Sequence, residues 1–265
     1  MAEPKLRVGL GQIRGRESVA ENVAVVTEFL ARGKEQGADV VLFPEGTIGG
    51  YFSVDFVDPL ALDGAAVEAG LEAVRQAAAA HGVAAAVGAS RRGEDGAIRN
   101  CLLLYSSTGE LVGEYVKTQL TESDRDCYVP GSVLPVFHLG SVPLGLLICY
   151  DQRFPEPWRA LALRGAQVVL HCSNACGPHA TWKIPVVEAH LRSRAAENGF
   201  FVVSVNRAGP FQSWGSVAYD PRGLELARAN YDWEELVTAD LDLSQVSRTF
   251  LEERRTDLTQ LLLGG

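Results

Sequence analysis

The 265-residue sequence predicts a single domain of layered α/β architecture. Apolar strand-like runs alternate with amphipathic helical segments early in the chain, and paired strands replace the crossover helices in its middle. Neither a linker nor an internal repeat interrupts this order. Because strands outnumber helices while both persist, stacked layers of sheet and helix fit better than a simple doubly wound sheet.

The opening of the chain reads as a β-α-β unit followed by a second helix and strand. Gly37 and Gly82 stand just after the two helical segments, where glycine commonly ends a helix. The predicted elements are a strand over 6–13, a helix over 22–35, a strand over 40–43, a helix over 65–81 and a strand over 83–90.

After residue 90 the sequence pattern changes from alternating strands and helices to strands paired by short turns. Thr108-Gly109 separates two apolar runs, and a later turn at 220–223 contains Pro221 and Gly223. The remaining predicted strands cover 100–107, 110–117, 136–139, 144–148, 167–172, 200–206, 217–219 and 237–241, and the remaining helices cover 157–164, 182–197 and 244–254. We expect one domain over 1–265, with its core at about 6–241 and a C-terminal helix and tail over 242–265.

Composition restricts the class of partner. The net charge of −9 and the scattered basic residues argue against a nucleic acid or an anionic membrane and favour a small molecule. The N-terminus lacks an apolar targeting segment, and no apolar run is long enough for a membrane span, so we expect a cytoplasmic protein. Five cysteines then predict free thiols in a reducing compartment.

Cys149 is the first candidate for chemistry. It ends the apolar run 144–148, and Pro155 and Pro157 soon open a predicted helix. Reactive side chains gather at the carboxyl ends of strands in open α/β sheets, and the amides of a following helix can lower the pKa of a thiol. The alternative is that Cys149 only fills space, because cysteine is among the most buried residue types.

Glu45 and Lys117 end two other predicted strands. A partly desolvated carboxylate can act as the general base for a thiol, and a compact ammonium can stabilise an oxyanion. The alternatives are a solvated loop glutamate and a solvent-facing lysine. A parallel or mixed sheet could bring Glu45, Lys117 and Cys149 together, and the carboxylate would then have to activate the thiol without a histidine.

Three segments around these residues resemble the signatures of the nitrilase, or carbon-nitrogen hydrolase, superfamily: 42–45 (Leu-Phe-Pro-Glu), 115–118 (Tyr-Val-Lys-Thr) and 147–156 (Leu-Ile-Cys-Tyr-Asp-Gln-Arg-Phe-Pro-Glu). The resemblance implies a four-layer αββα sandwich that often pairs across a two-fold axis. It also implies that Cys149 is the nucleophile, Glu45 the general base, and Lys117 with the Tyr150 backbone N–H the oxyanion stabiliser. The resemblance implies that the protein needs no metal or organic cofactor. It also implies a homodimer or a higher homo-oligomer.

One position departs from the family pattern. The family usually carries a second glutamate six residues before the proline that corresponds to Pro130, and here that place holds Asp124. Aspartate is one methylene shorter, so it could orient the substrate nitrogen and tune Lys117 only if its loop moves inward. Glu122 is the nearest alternative carboxylate, and the preserved spacing favours Asp124.

The nucleophile segment is more similar to the aliphatic and ω-amide hydrolases than to the nitrile-cleaving members. The expected reaction is hydrolysis of a small amide through a cysteine thioester, with release of ammonia. Hydrolysis of an N-carbamoyl amine, as in carbamoylputrescine-like enzymes, is the nearest rival, and nitrile hydrolysis is another. By resemblance the segment with Asn174 and Ala175 walls the substrate site, and Trp182 is a further candidate to line it, although an aromatic at a helix start is more often core.

Three hypotheses from other functional classes stay open. His171, Cys172, Cys176 and His179 could bind zinc, although the first two are strand neighbours and would point to opposite faces. Gly9-Leu10-Gly11 could begin a nucleotide-binding turn, but the third glycine of that motif is missing. A catalytically silent interaction protein with the same fold is the third, and the joint presence of Glu45, Lys117 and Cys149 argues against it.

Overall fold

The structure of the protein is a computed structural model that describes residues 5–177 and 182–257. Within these residues, twelve strands form two six-stranded sheets, and helices cover the outer face of each sheet. This arrangement is the αββα sandwich that the family resemblance implied, and the predicted layered α/β class is confirmed.

The first sheet has the order β12-β1-β2-β3-β4-β5. Strands β1, β2 and β3 run parallel, and β4 and β5 follow as antiparallel neighbours, so β5 points in the same direction as β2. The bounds of its strands are β1 Lys5–Gln12, β2 Val40–Leu42, β3 Ala84–Arg92, β4 Ile98–Tyr105, β5 Leu111–Val116 and β12 Glu235–Asp242. Helices α1 (Val19–Glu35) and α2 (Gly64–His81) pack on its outer face.

The second sheet has the order β11-β10-β9-β8-β7-β6, with β7, β8 and β9 parallel. The bounds of its strands are β6 Val136–Leu139, β7 Val142–Ile148, β8 Val168–Ser173, β9 Phe201–Asn206, β10 Val217–Tyr219 and β11 Glu225–Arg228. Helices α3 (Pro155–Leu163) and α4 (Lys183–Asn198) contribute Trp158, Leu161 and Leu191 to its core. The C-terminal helix α5 covers Thr249–Glu253.

Apolar side chains of both sheets share one core. Leu10 and Leu42 of the first sheet join Leu146 and Leu170 of the second in a single buried cluster. Burial of this kind contributes about 25 cal/mol per Å² of apolar surface removed from water. The core therefore fixes the two sheets against each other, and with them the ends of their strands.

The sequence-predicted elements agree with the structure except near the C-terminus and at one edge. The helix predicted over 244–254 is wrong in extent, because Asp242 accepts a hydrogen bond from the Ser244 backbone N–H and holds Leu243–Gln245 as a separate 3-10 helix. Strand β11 was not predicted, since as an edge strand it is largely exposed and has no apolar alternation.

The nucleotide-binding interpretation of Gly9 and Gly11 is wrong. Both lie inside β1, where they pair with Thr238 and Leu236 of β12, so they form no turn that could cradle a phosphate. A Cβ at Gly9 would come within 3.0 Å of Val41 Cγ2. The glycines are thus explained by close packing of the strand.

None of the helices in 5–177 and 182–257 combines the length and the apolar composition that crossing a membrane requires.

Candidate active site

The candidate catalytic residues come from the ends of strands in both sheets. Glu45 follows β2 and Lys117 follows β5 in the first sheet, whereas Cys149 follows β7 in the second. The expectation that one sheet brings all three together is therefore wrong. They meet because the carboxyl ends of β2, β5 and β7 open on the same end of the sandwich, and the shared core sets the distance between the sheets.

Glycine lets Glu45 reach this position. The chain after β2 passes over Gly88 of β3, where a Cβ would lie 2.7 Å from the Glu45 Cα. Real Cβ contacts essentially never come this close. Any larger residue at position 88 would push the glutamate backbone away from the site.

Lys117 is held by two carboxylates. Its Nζ lies 2.8 Å from Glu45 Oε1 and 2.8 Å from Asp124 Oδ2, and all three side chains are fully buried. Burial alone would lower the pKa of Lys117, but the negative neighbours, Glu45 foremost, outweigh it and hold this pKa well above its usual value. Lys117 is therefore a fixed cation.

Glu45 is also anchored by donors from outside this ion pair. Asn100 Nδ2 donates to Oε1 at 2.7 Å, and the Asn174 backbone N–H donates to Oε2 at 2.9 Å. A buried carboxylate needs such partners to offset its desolvation. The sequence reasoning missed Asn100, whose signal was a polar residue within the otherwise apolar strand β4.

Asp124, rather than Glu122, faces Lys117. It lies buried in the 3-10 helix Ser123–Asp126, while Glu122 is exposed. Tyr51 donates its hydroxyl to Asp124 Oδ1 at 2.7 Å, and the Thr121 backbone N–H donates to Oδ2 at 3.0 Å. Burial would raise the pKa of Asp124, but Lys117 and these donors hold it below its usual value. Sequence reasoning also missed Tyr51.

Cys149 sits at a sharp turn between β7 and the 3-10 helix Cys149–Arg153, with a backbone φ of 42°. Residues other than glycine rarely adopt this left-handed backbone conformation. It recurs at functional sites, where the surrounding structure holds one side chain at a fixed angle. The turn places the thiol close enough to Glu45 and Lys117 for the charges of both side chains to shift its pKa.

The pKa of Cys149 is raised rather than lowered, which fits the sequence-based expectation that a carboxylate has to activate the thiol. Burial, followed by the negative charge of Glu45, raises the pKa of this thiol, and Lys117 offsets only part of the effect. Helix α3 begins only at Pro155, and the 3-10 helix Cys149–Arg153 separates it from β7. The thiol is therefore protonated at neutral pH and needs a proton acceptor before it can attack.

His171 braces the Cys149 turn. Its Nε2 lies 3.1 Å from the Cys149 carbonyl oxygen and its Nδ1 lies 2.8 Å from Ser204 Oγ. Since a carbonyl oxygen only accepts, Nε2 carries the proton and Nδ1 accepts from the hydroxyl. Burial lowers the pKa of His171 to about 4, so the ring is neutral.

The predicted zinc ligands do not converge within the described residues. Cys172 is buried among apolar side chains, and both ring nitrogens of His171 are engaged in hydrogen bonds. Residues 5–177 and 182–257 contain no group of three or more histidine, cysteine, aspartate or glutamate side chains suited to a metal ion. His179 lies outside the described residues.

Neutral His171 predicts a pH effect on stability. The unfolded chain takes up a proton near pH 6.5, whereas folded His171 does so only near pH 4. The difference between these two pKa values contributes at most about 3 kcal/mol to the free energy of unfolding. The contribution is fully present above pH 6.5 and is lost as the pH falls toward 4. Urea unfolding of the wild type and of His171→Gln should show their stability difference shrinking over this range, and parallel pH curves would contradict the assignment.

The predicted substrate-binding residues lie in three different surroundings. Asn174 contacts Glu45, and Ala175 is held by Asn206, whose Oδ1 accepts from the Ala175 N–H at 2.9 Å. Tyr150 packs edge-on against Phe154 and lines a surface cavity of about 380 Å³. Trp182 is 61% exposed, and the Lys183 ammonium lies 5.9 Å from its ring centroid.

Known proteins match this fold and this sequence along almost the whole chain. The family model described as carbon-nitrogen hydrolase matches residues 7–249. An (R)-stereoselective amidase from a Pseudomonas species is 32% identical, over 96% of this chain and 93% of that protein.

Two solved structures of the amidase from Nesterenkonia sp. AN1 resemble the protein closely. In one, a mutant shows the result of Michael addition of acrylamide at the active-site cysteine; it has a TM-score of 0.84 and 28% identity, and the match covers 97% of this chain and 99% of that chain. The other is a mutant in complex with butyramide, with a TM-score of 0.84, 28% identity and coverage of 98% and 99%.

The resemblance first seen in three short segments thus extends over nearly the whole chain, in sequence and in fold. The protein belongs to the carbon-nitrogen hydrolase family.

Proposed function

We propose that this protein is an amidase that hydrolyses the carbon–nitrogen bond of a small aliphatic amide or ω-amide through a thioester on Cys149. The observation that carries the proposal is the meeting of a protonated thiol, a buried carboxylate and a fixed cation at Cys149, Glu45 and Lys117. The similar amidase with acrylamide on its active-site cysteine supports a covalent role for the thiol.

Acylation requires a proton to leave the thiol. Cys149 Sγ attacks the amide carbonyl carbon while its proton passes to Glu45, the buried carboxylate whose charge already influences the pKa of the thiol. Negative charge then develops on the carbonyl oxygen, and the Lys117 ammonium and the Tyr150 backbone N–H stabilise it. When the carbon–nitrogen bond breaks, Glu45 returns the proton to the departing nitrogen, and ammonia and the thioester result.

Deacylation reuses the same carboxylate. Glu45 takes a proton from water, the hydroxide attacks the thioester carbon, and the proton returns to the sulfur as the carboxylic acid leaves. One amide and one water are thus converted to one acid and one ammonia. Asp124 orients the amide nitrogen and keeps Lys117 charged through its 2.8 Å ion pair.

The acyl group of the substrate is inferred from a similar enzyme. The similar Nesterenkonia amidase was solved as a mutant in complex with butyramide, which supports a short acyl chain. The contributors to the substrate site stay predictions; they are Asn174, Ala175, Tyr150 and Trp182. The cytoplasmic location and the homodimer also stay predictions.

A substrate screen tests the proposal. Purified protein is incubated with aliphatic amides, ω-amides, N-carbamoyl amines and nitriles, and ammonia is measured together with the acid product. We expect the highest kcat/KM with an amide, and hydroxylamine should divert the thioester to a hydroxamate. Turnover of only nitriles or only N-carbamoyl amines would move the protein to that branch of the family, and no turnover of any of the four would refute the proposal.

A further inference from the structure

Asp151 is a second buried carboxylate near the site, and the proposed mechanism does not use it. It is fully buried, two residues after Cys149, and burial raises its pKa to about 6. A carboxylate buried in this way must be held by hydrogen-bond donors.

Four donors meet this one carboxylate. Oδ2 accepts from the Ile148 backbone N–H at 2.8 Å and from the Tyr115 hydroxyl at 2.8 Å. Oδ1 accepts from the Gln119 backbone N–H at 3.0 Å and from Thr118 Oγ1 at 3.3 Å. Both oxygens are thus used.

These donors flank the candidate catalytic residues of both sheets. Tyr115, Thr118 and Gln119 surround Lys117 at the end of β5 in the first sheet, and Ile148 immediately precedes Cys149 at the end of β7 in the second. The Asp151 carboxylate therefore ties the backbone that carries the cation to the backbone that carries the thiol.

We propose that Asp151 is a positioning residue that sets the distance between the Lys117 ammonium and the Cys149 thiol by joining the ends of the two sheets. The inference rests on the proposed function, because it assigns Asp151 a role in that same reaction. Asp151 acts through the neighbouring backbone and touches no reacting atom.

Tight positioning has a large effect on rate, since a misplacement of about 1 Å can cost about 100-fold in an enzyme reaction. The apolar core holds the sheets as whole layers, and at the strand ends Lys117 and Cys149 are each bonded within their own sheet, through Asn100 and His171. Those bonds do not cross from one sheet end to the other, whereas the Asp151 carboxylate does so at a point adjacent to both catalytic side chains.

Asp151→Asn is the sharpest test because it preserves size. An amide has only one acceptor oxygen, so its NH₂ group must face two of the four donors and at least one side of the tie is lost. We expect kcat to fall by about 10-fold to 100-fold while KM changes by less than about threefold.

Asp220→Asn is the matched control. Asp220 is also a fully buried carboxylate, and it accepts the Arg222 and Leu224 backbone N–H groups in a turn after β10. Both variants should lower the thermal unfolding midpoint, but only Asp151→Asn should lower kcat per active site. Equal kcat losses in the two variants, or a kcat for Asp151→Asn within about twofold of wild type, would overturn the proposal.

Tyr115→Phe keeps the test informative if Asp151→Asn does not fold. It removes one donor to Asp151 and the acceptor of the Thr118 backbone N–H, and it leaves the carboxylate and its bonds to the Gln119 and Ile148 backbone N–H groups in place. We expect a smaller loss of kcat in the same direction, with KM unchanged, and an unchanged kcat would count against the tie.

A measurement without an amide substrate separates this proposal from the proposed function. Alkylation of Cys149 by iodoacetamide, followed by peptide mass spectrometry, reports how well Glu45 and Lys117 assist the thiol even if no amide is turned over. We expect slower alkylation in Asp151→Asn and the wild-type rate in Asp220→Asn. If the wild type turns over no amide but this contrast persists, only the proposed function has failed; equal rates in both variants would overturn the positioning role.

Discussion

Cys149→Ala should abolish ammonia release from every amide that the wild type hydrolyses, with a free energy of unfolding within about 1 kcal/mol of wild type. Without sulfur no thioester can form, and Glu45 and Lys117 alone offer no covalent route. Stability should change little because alanine meets the same backbone strain at φ 42° and leaves the Glu45 and Lys117 ion pair intact. Ammonia release and thermal unfolding measure the two effects.

Cys101→Ala is the control for removing a buried thiol. Cys101 lies in β4 on the side of the first sheet that α1 and α2 cover, away from the shared core of the sheets. It should keep wild-type kcat, and iodoacetamide should alkylate Cys149 in this variant as in the wild type. Full activity in Cys149→Ala, or modification of another cysteine with loss of activity, would refute the nucleophile assignment.

Asp124→Asn should lower kcat by about 100-fold or more, whereas Glu122→Gln should leave it nearly unchanged. The asparagine keeps the size of the side chain but removes one of the two charges that hold Lys117. The pKa of Lys117 should then fall, and the amide would compete with the substrate nitrogen as a donor. Glu122 is exposed and has no such contact with Lys117.

Steady-state kinetics of both variants, with thermal unfolding, distinguish these roles. Asp124→Asn should also lose stability, because Tyr51 and Lys117 are left with a weaker acceptor. The reverse order of kcat values would give the second-acid role to Glu122. If both variants lowered kcat by a similar, small factor, Glu45 alone would be sufficient to keep Lys117 charged and in place.

Much of the site could be predicted because its main residues stand at recognisable places in the chain. Glu45, Lys117 and Cys149 each follow a strongly apolar strand, and the short segments around them resemble those of the family. Local pattern was sufficient for these three residues, since strand ends are visible in hydropathy. For Asp124, the count back from Pro130 favoured it over Glu122 but could not show which of the two reaches Lys117.

The partners of these residues could not be predicted in the same way. Tyr51, Asn100 and Asp151 come from a loop, a strand and a turn that are far apart in the chain, and each meets its partner only when the elements pack. The direction in which the Cys149 pKa shifts was also beyond the local sequence. Burial and the charge of Glu45 depend on three-dimensional distance, which the local sequence around Cys149 does not contain.

The sequence by itself determined the layered α/β class, the order of nearly all elements and the identity of the thiol, carboxylate and cation, because apolar periodicity and strand-end motifs are local properties. Only the tertiary structure decided that two sheets rather than one deliver these groups, that Asp124 rather than Glu122 reaches Lys117, and that the thiol is protonated. Those outcomes depend on how close charged groups lie after burial, and electrostatic energies depend steeply on both distance and solvent access.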